Sequence, residues 1–304
     1  MGQTIFILLL LTAAASAQEA PTFRARVSLV RVDVQVTEGK KALGGLGRED
    51  FEVLDEGVPR KIVYFGNETE PLWVMLLLDV SGSTRKHVKE MAEASREALR
   101  ALASGDHAAI MVFGRHTDYR RPFTGDLASI ERALLGSVNA RGLGSGTRIN
   151  AAIIDAANQM REAAGTEPGR RAIVIMTDNK GLSYKVPNED VLRALYDADA
   201  VLNAIAVGGA KPPKPLPPGA NPDFTPPDIF LLARETGGEV IRANKTGAAF
   251  KTMLDGIRTR YSLHYHAPPA EPGIFRRIEA RLTPEARRRH RKATIRARAG
   301  YYTR

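Results

Sequence analysis

Five residues with hydroxyl or carboxylate side chains lie where strands are predicted to end or helices to begin. If those strands are parallel, the loops that carry the five residues meet at the carboxyl edge of one sheet, and their oxygen atoms converge there. Hydroxyl and carboxylate oxygens are the ligands that hard cations such as Mg²⁺, Mn²⁺ and Ca²⁺ prefer. The five residues are Asp79, Ser81, Ser83, Thr147 and Asp178. The sequence therefore predicts a divalent metal site.

Each of these residues also has a purely local interpretation. Asp79, Ser81 or Thr147 alone would more often cap a helix, since Ser, Thr and Asp favour that position, and Asp178 alone would more often sit in a turn. These local roles explain each position but not the ordered set of five. We therefore favour the metal site.

The elements around these residues predict an open α/β fold. Continuous apolar runs indicate strands covered on both faces, and they alternate with segments whose apolar residues recur at helical spacing. Strands that alternate with helices indicate a mainly parallel sheet with helices on both faces. The predicted strands are 74–78, 108–113, 172–176 and 201–207, and the predicted helices are one from about 88 to 102, then 127–138, 149–163, 191–198, 229–234 and 248–257.

The two ends of the chain differ from this middle part. Residues alternate between apolar and polar from 23 to 36 and again after 260, which is typical of half-buried antiparallel strands with one solvated face. We predict a smaller, discontinuous β-sandwich-like domain built from both termini. A proline-rich loop at 210–228 follows a strand and should lie at the carboxyl edge of the α/β sheet. The predicted segments are a signal peptide at 1–17, the first part of the β-domain at 18–70, the α/β domain at 71–259 and the second part of the β-domain at 260–304.

The Asp79-x-Ser81-x-Ser83 motif, with the later Thr147 and Asp178, resembles the metal-ion-dependent adhesion site of von Willebrand factor A (VWA) domains. The resemblance covers roughly residues 73–257 and implies a VWA/Rossmann-like sheet. The whole chain also resembles a bacterial, Acidobacteria-type family of VWFA-related proteins. Its flanking motifs are Gly47-x-x-Asp50-Phe51, Ile257-Arg258-x-Arg260-Tyr261-x-Leu263 and Ala297-Arg298-x-Gly300-Tyr301-Tyr302.

The resemblance implies a role for each site residue. Ser81 and Ser83 would bind the metal through their hydroxyls, Thr147 directly or through water, and Asp79 and Asp178 mainly through water. One position would stay open, where a carboxylate from a protein partner completes the coordination. The sequence departs from the family at Asn179, where glycine is common, and the larger side chain is expected to narrow the site. Arg85 and Lys86, close after the motif, are expected to attract an acidic partner.

The N-terminus and the cysteine content indicate an exported protein. An apolar run followed by Ala15-Ser16-Ala17 predicts a secretory signal peptide, although its first residues carry no Lys or Arg. The sequence has no cysteine, which excludes disulfides, thiolate metal sites and a cysteine nucleophile. No later stretch predicts a transmembrane anchor. We expect a secreted or periplasmic protein.

The basic charge is concentrated near the C-terminus. Residues 270–304 contain eleven Arg or Lys against three Glu, a net charge of +8 within a total of +10. We predict a basic hairpin that could bind a polyanion. Nucleic acid is not expected as a physiological partner of an exported protein. The candidate residues are Arg287, Arg288, Arg289, Arg291 and Lys292.

Three functions remain open from the sequence. The first is a divalent-metal-dependent protein-binding module for adhesion or assembly, in which a partner presents Asp or Glu to the metal. The second is a structural protein that binds through the β-domain and the basic hairpin while the metal only stabilises the loops. The third, a metal-assisted hydrolase, lacks an identifiable general base, and the sequence holds neither a P-loop nor a G-x-S-x-G motif. We therefore predict that the protein is not an enzyme.

Overall fold

The computed structural model describes residues 28–39, 41–67, 70–243 and 245–304. The predicted signal peptide at 1–17 lies outside these residues. The strands, in chain order, are β1 (Leu29–Glu38), β2 (Lys41–Ala42), β3 (Phe51–Asp55), β4 (Val58–Arg60), β5 (Ile62–Gly66), β6 (Leu72–Asp79), β7 (His107–Phe113), β8 (Thr117–Thr124), β9 (Arg170–Thr177), β10 (Ser183–Tyr184), β11 (Ala200–Ala206), β12 (Phe224–Thr225), β13 (Val240–Arg242), β14 (Tyr261–His266), β15 (Phe275–Leu282), β16 (Ala293–Arg296) and β17 (Gly300–Tyr302). The helices are α1 (Arg85–Leu99), α2 (Leu127–Ser137), α3 (Ile149–Ala164), α4 (Asn188–Asp197), α5 (Ile229–Thr236), α6 (Thr246–Arg258) and α7 (Pro284–Arg289).

The central sheet has six strands in the order β13-β11-β9-β6-β7-β8. All neighbouring pairs are parallel except β7 and β8, so the predicted open and mainly parallel α/β sheet is confirmed. The strand β8 was not predicted. It is a half-exposed edge strand with a proline at position 122, and such a strand carries no continuous apolar run.

Strand β6 shows why this sheet must be covered on both sides. Its side chains alternate between two faces, and each face is apolar. Leu76 and its same-face neighbours pack against α1, α2 and α6, whereas Met75 and its same-face neighbours pack against α3, α4 and α5. Each buried side chain of this size contributes roughly 2 kcal/mol.

The two ends of the chain form two antiparallel sheets, as predicted. One has the order β16-β1-β14-β5, with β2 added beside β1, and the other has the order β17-β15-β3-β4. Side chains from both sheets share one apolar core, in which Val32, Phe51, Leu263 and Ile278 are members. Strands from the N-terminal and C-terminal ends are therefore interleaved. The exact domain boundaries stay predictions.

The polar face of β1 differs from the prediction of a solvated face. Asp33 and Gln35 are buried, because this face packs toward the central sheet. Arg31 donates a hydrogen bond to the carbonyl of Gly169, just before β9, and Arg298 pairs with Asp199, just before β11. These contacts place the antiparallel sheets at the amino edge of the central sheet, opposite its carboxyl edge.

The basic C-terminal segment is not a hairpin, which corrects the prediction. Residues 284–289 form the short helix α7, capped by Thr283, whose hydroxyl accepts a hydrogen bond from the Ala286 amide. The flanking strands β15 and β16 belong to different sheets. Within the described part of the chain, no helix is both long and apolar enough to cross a membrane.

Candidate metal centre at the carboxyl edge of the sheet

Asp79 is the last residue of β6 and is fully buried. Its carboxylate accepts hydrogen bonds from the Ser81 amide at 3.0 Å, the Thr84 hydroxyl at 3.2 Å and the Thr177 hydroxyl at 2.8 Å. Burial raises the pKa of Asp79, the hydrogen bonds from Thr177 and Ser81 oppose that rise, and the neighbouring Asp178 adds to it. A bound cation would compensate this buried charge.

Ser81 and Ser83 extend from this strand end toward a second loop. Their hydroxyl oxygens lie 3.4 Å apart, and the Ser81 hydroxyl also lies 3.1 Å from the Thr84 hydroxyl. The Ser83 hydroxyl donates a hydrogen bond to Asp178 Oδ2 at 3.0 Å, across 95 residues of sequence. The structure thus brings together four of the five predicted ligands: Asp79, Ser81, Ser83 and Asp178.

Asp178 follows β9 and is buried, with 4% of its surface exposed. Its Oδ1 accepts a hydrogen bond from the Lys180 amide at 3.2 Å, and its Oδ2 lies 3.2 Å from the Lys180 ammonium. The Lys180 side chain is 71% exposed. A solvent-exposed ammonium group therefore lies beside the oxygen atom that Ser83 also contacts.

Thr147 lies beside this loop through its backbone. A Cβ atom added to Gly181 would stand 2.7 Å from the Thr147 carbonyl oxygen, so the close approach of the two loops requires glycine at 181. Thr147 is half-buried. Among the described contacts, its hydroxyl makes no hydrogen bond to the other four predicted ligands, so its role in the site stays a prediction.

Asn179 does not narrow the site, contrary to the expectation from the sequence. It adopts a left-handed conformation with φ of 57°, which asparagine tolerates better than most residues, and this accounts for its replacing glycine here. Its side-chain nitrogen donates to the Lys211 carbonyl at 3.0 Å, and its oxygen accepts from the Ile229 amide at 3.4 Å. The side chain therefore anchors the proline-rich loop and α5.

The proline-rich loop lies at the carboxyl edge, as predicted. Strand β11 ends beside the end of β9, and the Val207 amide donates to the Thr177 carbonyl at 3.1 Å. A Cβ atom on Gly208 would lie 3.2 Å from Asp178 Cβ. The loop therefore begins directly next to a predicted metal ligand.

The donor set fits a hard divalent cation. It consists of oxygen atoms alone, held on separate loops, with two buried carboxylates, one of which pairs with the exposed ammonium group of Lys180. No group of three or more His, Cys, Asp or Glu that could hold a metal occurs in the described ranges. His264 and His266 share a strand, and their spacing would allow them to chelate a metal. The His264 ring instead packs against the Tyr64 ring, with 4.6 Å between the ring centres and 40° between the ring planes.

Exposed apolar side chains next to Asp178 were not identified from the sequence. Strand β10 follows the Asp178 loop and pairs with β12, which ends the proline-rich loop. Leu182, Tyr184 and Phe224 are 52%, 48% and 37% exposed, and the two aromatic rings lie 5.3 Å apart. In the sequence, these three residues are apolar side chains within two otherwise polar loops, and this pattern could have indicated the surface. Apolar side chains exposed beside a site commonly mark a contact surface.

The basic residues of α7 and the turn after it are partly engaged within the protein. Arg287 donates to the Ala293 carbonyl at 2.6 Å, Arg288 pairs with Glu285 at 3.0 Å, and Arg289 pairs with Asp50. Arg291 and Lys292 are exposed. The segment thus offers less free charge than its sequence indicates.

Comparison with known proteins gives one family match. Residues 74–181 match the model of the von Willebrand factor type A domain, a range that includes all five predicted ligands. No curated protein matches the chain. The predicted resemblance to von Willebrand factor A domains is therefore confirmed over this part of the chain, whereas the metal-ion-dependent adhesion site and the resemblance to the Acidobacteria-type family stay predictions.

Several solved structures are similar to the chain. The conserved hypothetical protein BatB from Bacteroides thetaiotaomicron is 19% identical, with a TM-score of 0.48, over 61% of this chain and 97% of that chain. An aerotolerance-related membrane protein from Bacteroides fragilis is 21% identical, with a TM-score of 0.46, over 61% and 98%. The vWF domain of the type V pili tip protein Mfa5 from Porphyromonas gingivalis is 19% identical, with a TM-score of 0.31, over 38% and 40%.

Proposed function

We propose that this chain, which carries a von Willebrand factor type A domain over residues 74–181, is a binding module that recognises a protein partner through a divalent metal ion outside the cytoplasm. The observation that carries the proposal is the contact between the Ser83 hydroxyl and Asp178 Oδ2. It joins the loop after β6 to the loop after β9 and brings hydroxyls and carboxylates to one point. A cation such as Mg²⁺, or Mn²⁺ or Ca²⁺, would supply an electrophilic centre there for a partner carboxylate.

The residues of the site would have two roles: to bind the cation, and to leave it able to accept a carboxylate from a partner. Ser81 and Ser83 would hold it through neutral hydroxyls, and Thr147 would approach from the facing loop. Asp79 is tied to three hydrogen-bond donors, so its carboxylate is fixed in place and better suited to orient water than to move onto the cation. A ligand shell with few negative charges leaves a cation able to accept an anionic ligand from outside.

The exposed apolar surface on β10 and β12 supports a protein as the partner. Leu182 is exposed only four residues after Asp178, so a partner that reaches the metal also passes this surface. Burial of such side chains favours association. Adhesion or assembly without catalysis is the activity that these features fit best.

The location outside the cytoplasm rests on the N-terminal sequence. The apolar run with an Ala15-Ser16-Ala17 cleavage pattern supports export, and the absence of cysteine from the sequence is compatible with it. We infer a secreted or periplasmic protein from these two features.

An assembly protein that binds through the terminal sheets is the alternative. It would use the basic residues at 287–292, of which Arg291 and Lys292 are exposed. The internal ion pairs of Arg288 and Arg289 weaken this alternative. Partner binding that survives Asp79→Ala but is lost after charge reversal at 287–292 would favour it. A hydrolase would be favoured by turnover of an ester that is lost in Asp178→Ala.

The test is calorimetric titration of the predicted mature chain, residues 18–304, with Mg²⁺ and Mn²⁺ after treatment with EDTA. We expect saturable binding, weakened more than about tenfold in the Ser81→Ala, Ser83→Ala double variant, since it loses two ligands. Ser145→Ala is the matched control, because Ser145 is exposed on a neighbouring loop and is not a predicted ligand. Identical traces for the wild type and the double variant would refute the metal site.

A further inference from the structure

The loops at the carboxyl edge of the central sheet carry a set of exposed basic side chains. Lys180 is the only one of them with an acidic partner among the described residues, and that partner is the predicted ligand Asp178. The others are not in ion pairs with any described residue. The set, which we call the basic edge, consists of Lys86, Arg115, Arg141, Arg148, Lys180 and Lys211.

Contacts among the loops place parts of the basic edge next to the loops that carry the predicted ligands. Arg115 packs against Gly144, since a Cβ atom there would lie 3.0 Å from Arg115 Cβ. The Arg148 amide donates to the Gly114 carbonyl at 3.0 Å, which fixes the start of α3 beside the end of β7. Lys211 lies on the proline-rich loop that Asn179 holds.

A cavity of about 520 Å³ opens beside Ser81, between the first turn before α1 and the loop that precedes Thr147. The loop at 140–146 forms one wall of the cavity, with three glycines among its seven residues and with Arg141 as its charged residue. The space is of the size that a few side chains of a partner would occupy.

Arg85 forms another part of the cavity lining. Its guanidinium group donates to the carbonyl oxygens of Val80, Val138 and Ala140 at 3.2–3.3 Å. These hydrogen bonds fix the guanidinium group in place. No carboxylate among the described residues forms an ion pair with it. The lining of the cavity therefore carries positive charge from Arg85 and Arg141.

We propose, on the basis of the proposed function, that the partner is an acidic protein segment with several carboxylates and not a single Asp or Glu on a neutral surface. One carboxylate would complete the metal centre, and its neighbours would enter the cavity toward Arg85 and Arg141. A single carboxylate would leave the basic edge unpaired, whereas an acidic segment would be steered to it from a distance. The exposed Leu182 beside Asp178 favours a protein over an acidic polysaccharide, because it offers an apolar contact.

The test uses a fluorescently labelled decaglutamate peptide as the probe, with binding to residues 18–304 measured by anisotropy in the presence of Mg²⁺. The edge variant combines Arg115→Gln, Arg141→Gln and Arg148→Gln. We expect it to bind the peptide about tenfold more weakly, since each exposed charge contributes modestly, while Mg²⁺ titration stays unchanged. The wild-type affinity should also fall steeply with added salt, because exposed charges are screened.

The matched control combines Arg100→Gln, Arg161→Gln and Arg277→Gln. It removes the same charge from exposed residues, two of which lie at or near the far ends of α1 and α3. It should bind as the wild type does. A double variant, Arg291→Gln with Lys292→Gln, tests the basic segment near the C-terminus. The proposal would be overturned if both triple variants lost peptide affinity equally, or if only this double variant lost it.

Three further results distinguish a failure of this inference from a failure of the proposed metal site. If Ser81→Ala, Ser83→Ala abolishes Mg²⁺ binding and the edge variant does not, the two proposals stand independently. Polyphosphate that displaces the peptide equally well with and without Mg²⁺ would show a general polyanion surface and overturn the acidic-segment proposal. If the wild type binds no Mg²⁺, the proposed function fails whatever the peptide does.

Discussion

At the scale of single residues, Lys180 is the charged group that pairs with the predicted ligand Asp178. Its ammonium group lies 3.2 Å from Asp178 Oδ2 and competes for the charge that a metal ion would use. We predict that Lys180→Gln raises the affinity for Mg²⁺ about threefold, a modest effect because this side chain is largely solvated. Calorimetric titration measures the change directly.

Lys185→Gln is the control for Lys180, since Lys185 is 64% exposed and pairs with Asp223 on another loop. It should leave the affinity for Mg²⁺ unchanged. A lower affinity in Lys180→Gln would mean that the lysine helps to hold the metal loop in shape and does not compete with the ion.

The predicted ligands illustrate what residue types and spacing reveal. Asp79 and Asp178 follow strongly apolar strands, so their meeting at one edge followed from the fold class alone. The anchoring role of Asn179 did not, because it depends on a positive φ and on partners at Lys211 and Ile229 that are far away in sequence. The position of the Thr147 hydroxyl likewise depends on loop conformation, which local patterns do not specify.

At the scale of elements, the six long helices and four of the five parallel strands were predicted to within a few residues because their apolar pattern is strong. The parallel strand β13 was missed because its three residues are too few to show such a pattern. Helix α7 was missed because six residues are too few for a period to be visible. Its start signals, Thr283 followed by Pro284, were present in the sequence. The order and pairing of the terminal strands could not be derived, since register depends on side chains from both ends of the chain.

Strand β1 shows how an alternating pattern can be misread. Its polar positions indicated a solvated face, yet Asp33 is buried because positive partners surround it. The carboxylate accepts hydrogen bonds from Arg31 at 3.1 Å and Ser262 at 2.7 Å. Arg170 pairs with the neighbouring Glu70 at 3.4 Å. A buried ion network and a wet strand face have the same sequence pattern, and only the tertiary structure distinguishes them.

This network predicts a specific acid sensitivity. Burial alone would raise the pKa of Asp33, but the positive charges of Arg31 and Arg170, the Ser262 hydrogen bond and the charge of Arg260 outweigh it and lower the pKa. A carboxyl group whose pKa is lowered by folding stabilises the protein above its unfolded-state pKa, and that stability is lost as the pH falls through the folded-state value. We therefore predict that Asp33→Asn removes part of the loss of stability below about pH 4.

At neutral pH the same variant should lower the free energy of unfolding by about 3 kcal/mol, because it removes one of the two carboxylates that balance the buried charges of Arg31 and Arg170. Urea denaturation at about pH 7 and about pH 3 measures both effects. Asp118→Asn is the comparison, since Asp118 pairs with Arg120 at the surface and should change little. Equal acid sensitivity in Asp33→Asn and the wild type would contradict the prediction.

At the scale of the whole molecule, the amino and carboxyl edges of the central sheet have different neighbours. Its amino edge is covered by the antiparallel sheets, through contacts such as the hydrogen bond from Arg170 to the Ser262 hydroxyl at 3.2 Å and that from Arg298 to Asp199 at 2.9 Å. Its carboxyl edge carries the predicted metal centre and the basic edge. The terminal sheets therefore lie opposite the edge at which we propose that a partner binds.

This arrangement predicts that metal binding stabilises the entire chain. The two parts are joined by a network of buried hydrogen bonds and ion pairs, in which Arg170 contacts Ser262 and Glu70, and separating the parts would break this network as a unit. We expect one unfolding transition, and Mg²⁺ at a hundred times its dissociation constant should raise the free energy of unfolding by about 2.7 kcal/mol throughout.

Two optical probes can test this coupling because the aromatic residues are unevenly distributed. The single tryptophan, Trp73, lies in β6, whereas five of the eight tyrosines lie in the antiparallel sheets: Tyr64, Tyr261, Tyr265, Tyr301 and Tyr302. Tryptophan fluorescence and tyrosine circular dichroism should shift together with Mg²⁺, and neither should shift in Ser81→Ala, Ser83→Ala. If only the tryptophan signal shifted, the terminal sheets would be a separately folding unit, and the buried ion network would be too weak to transmit binding from one edge of the sheet to the other.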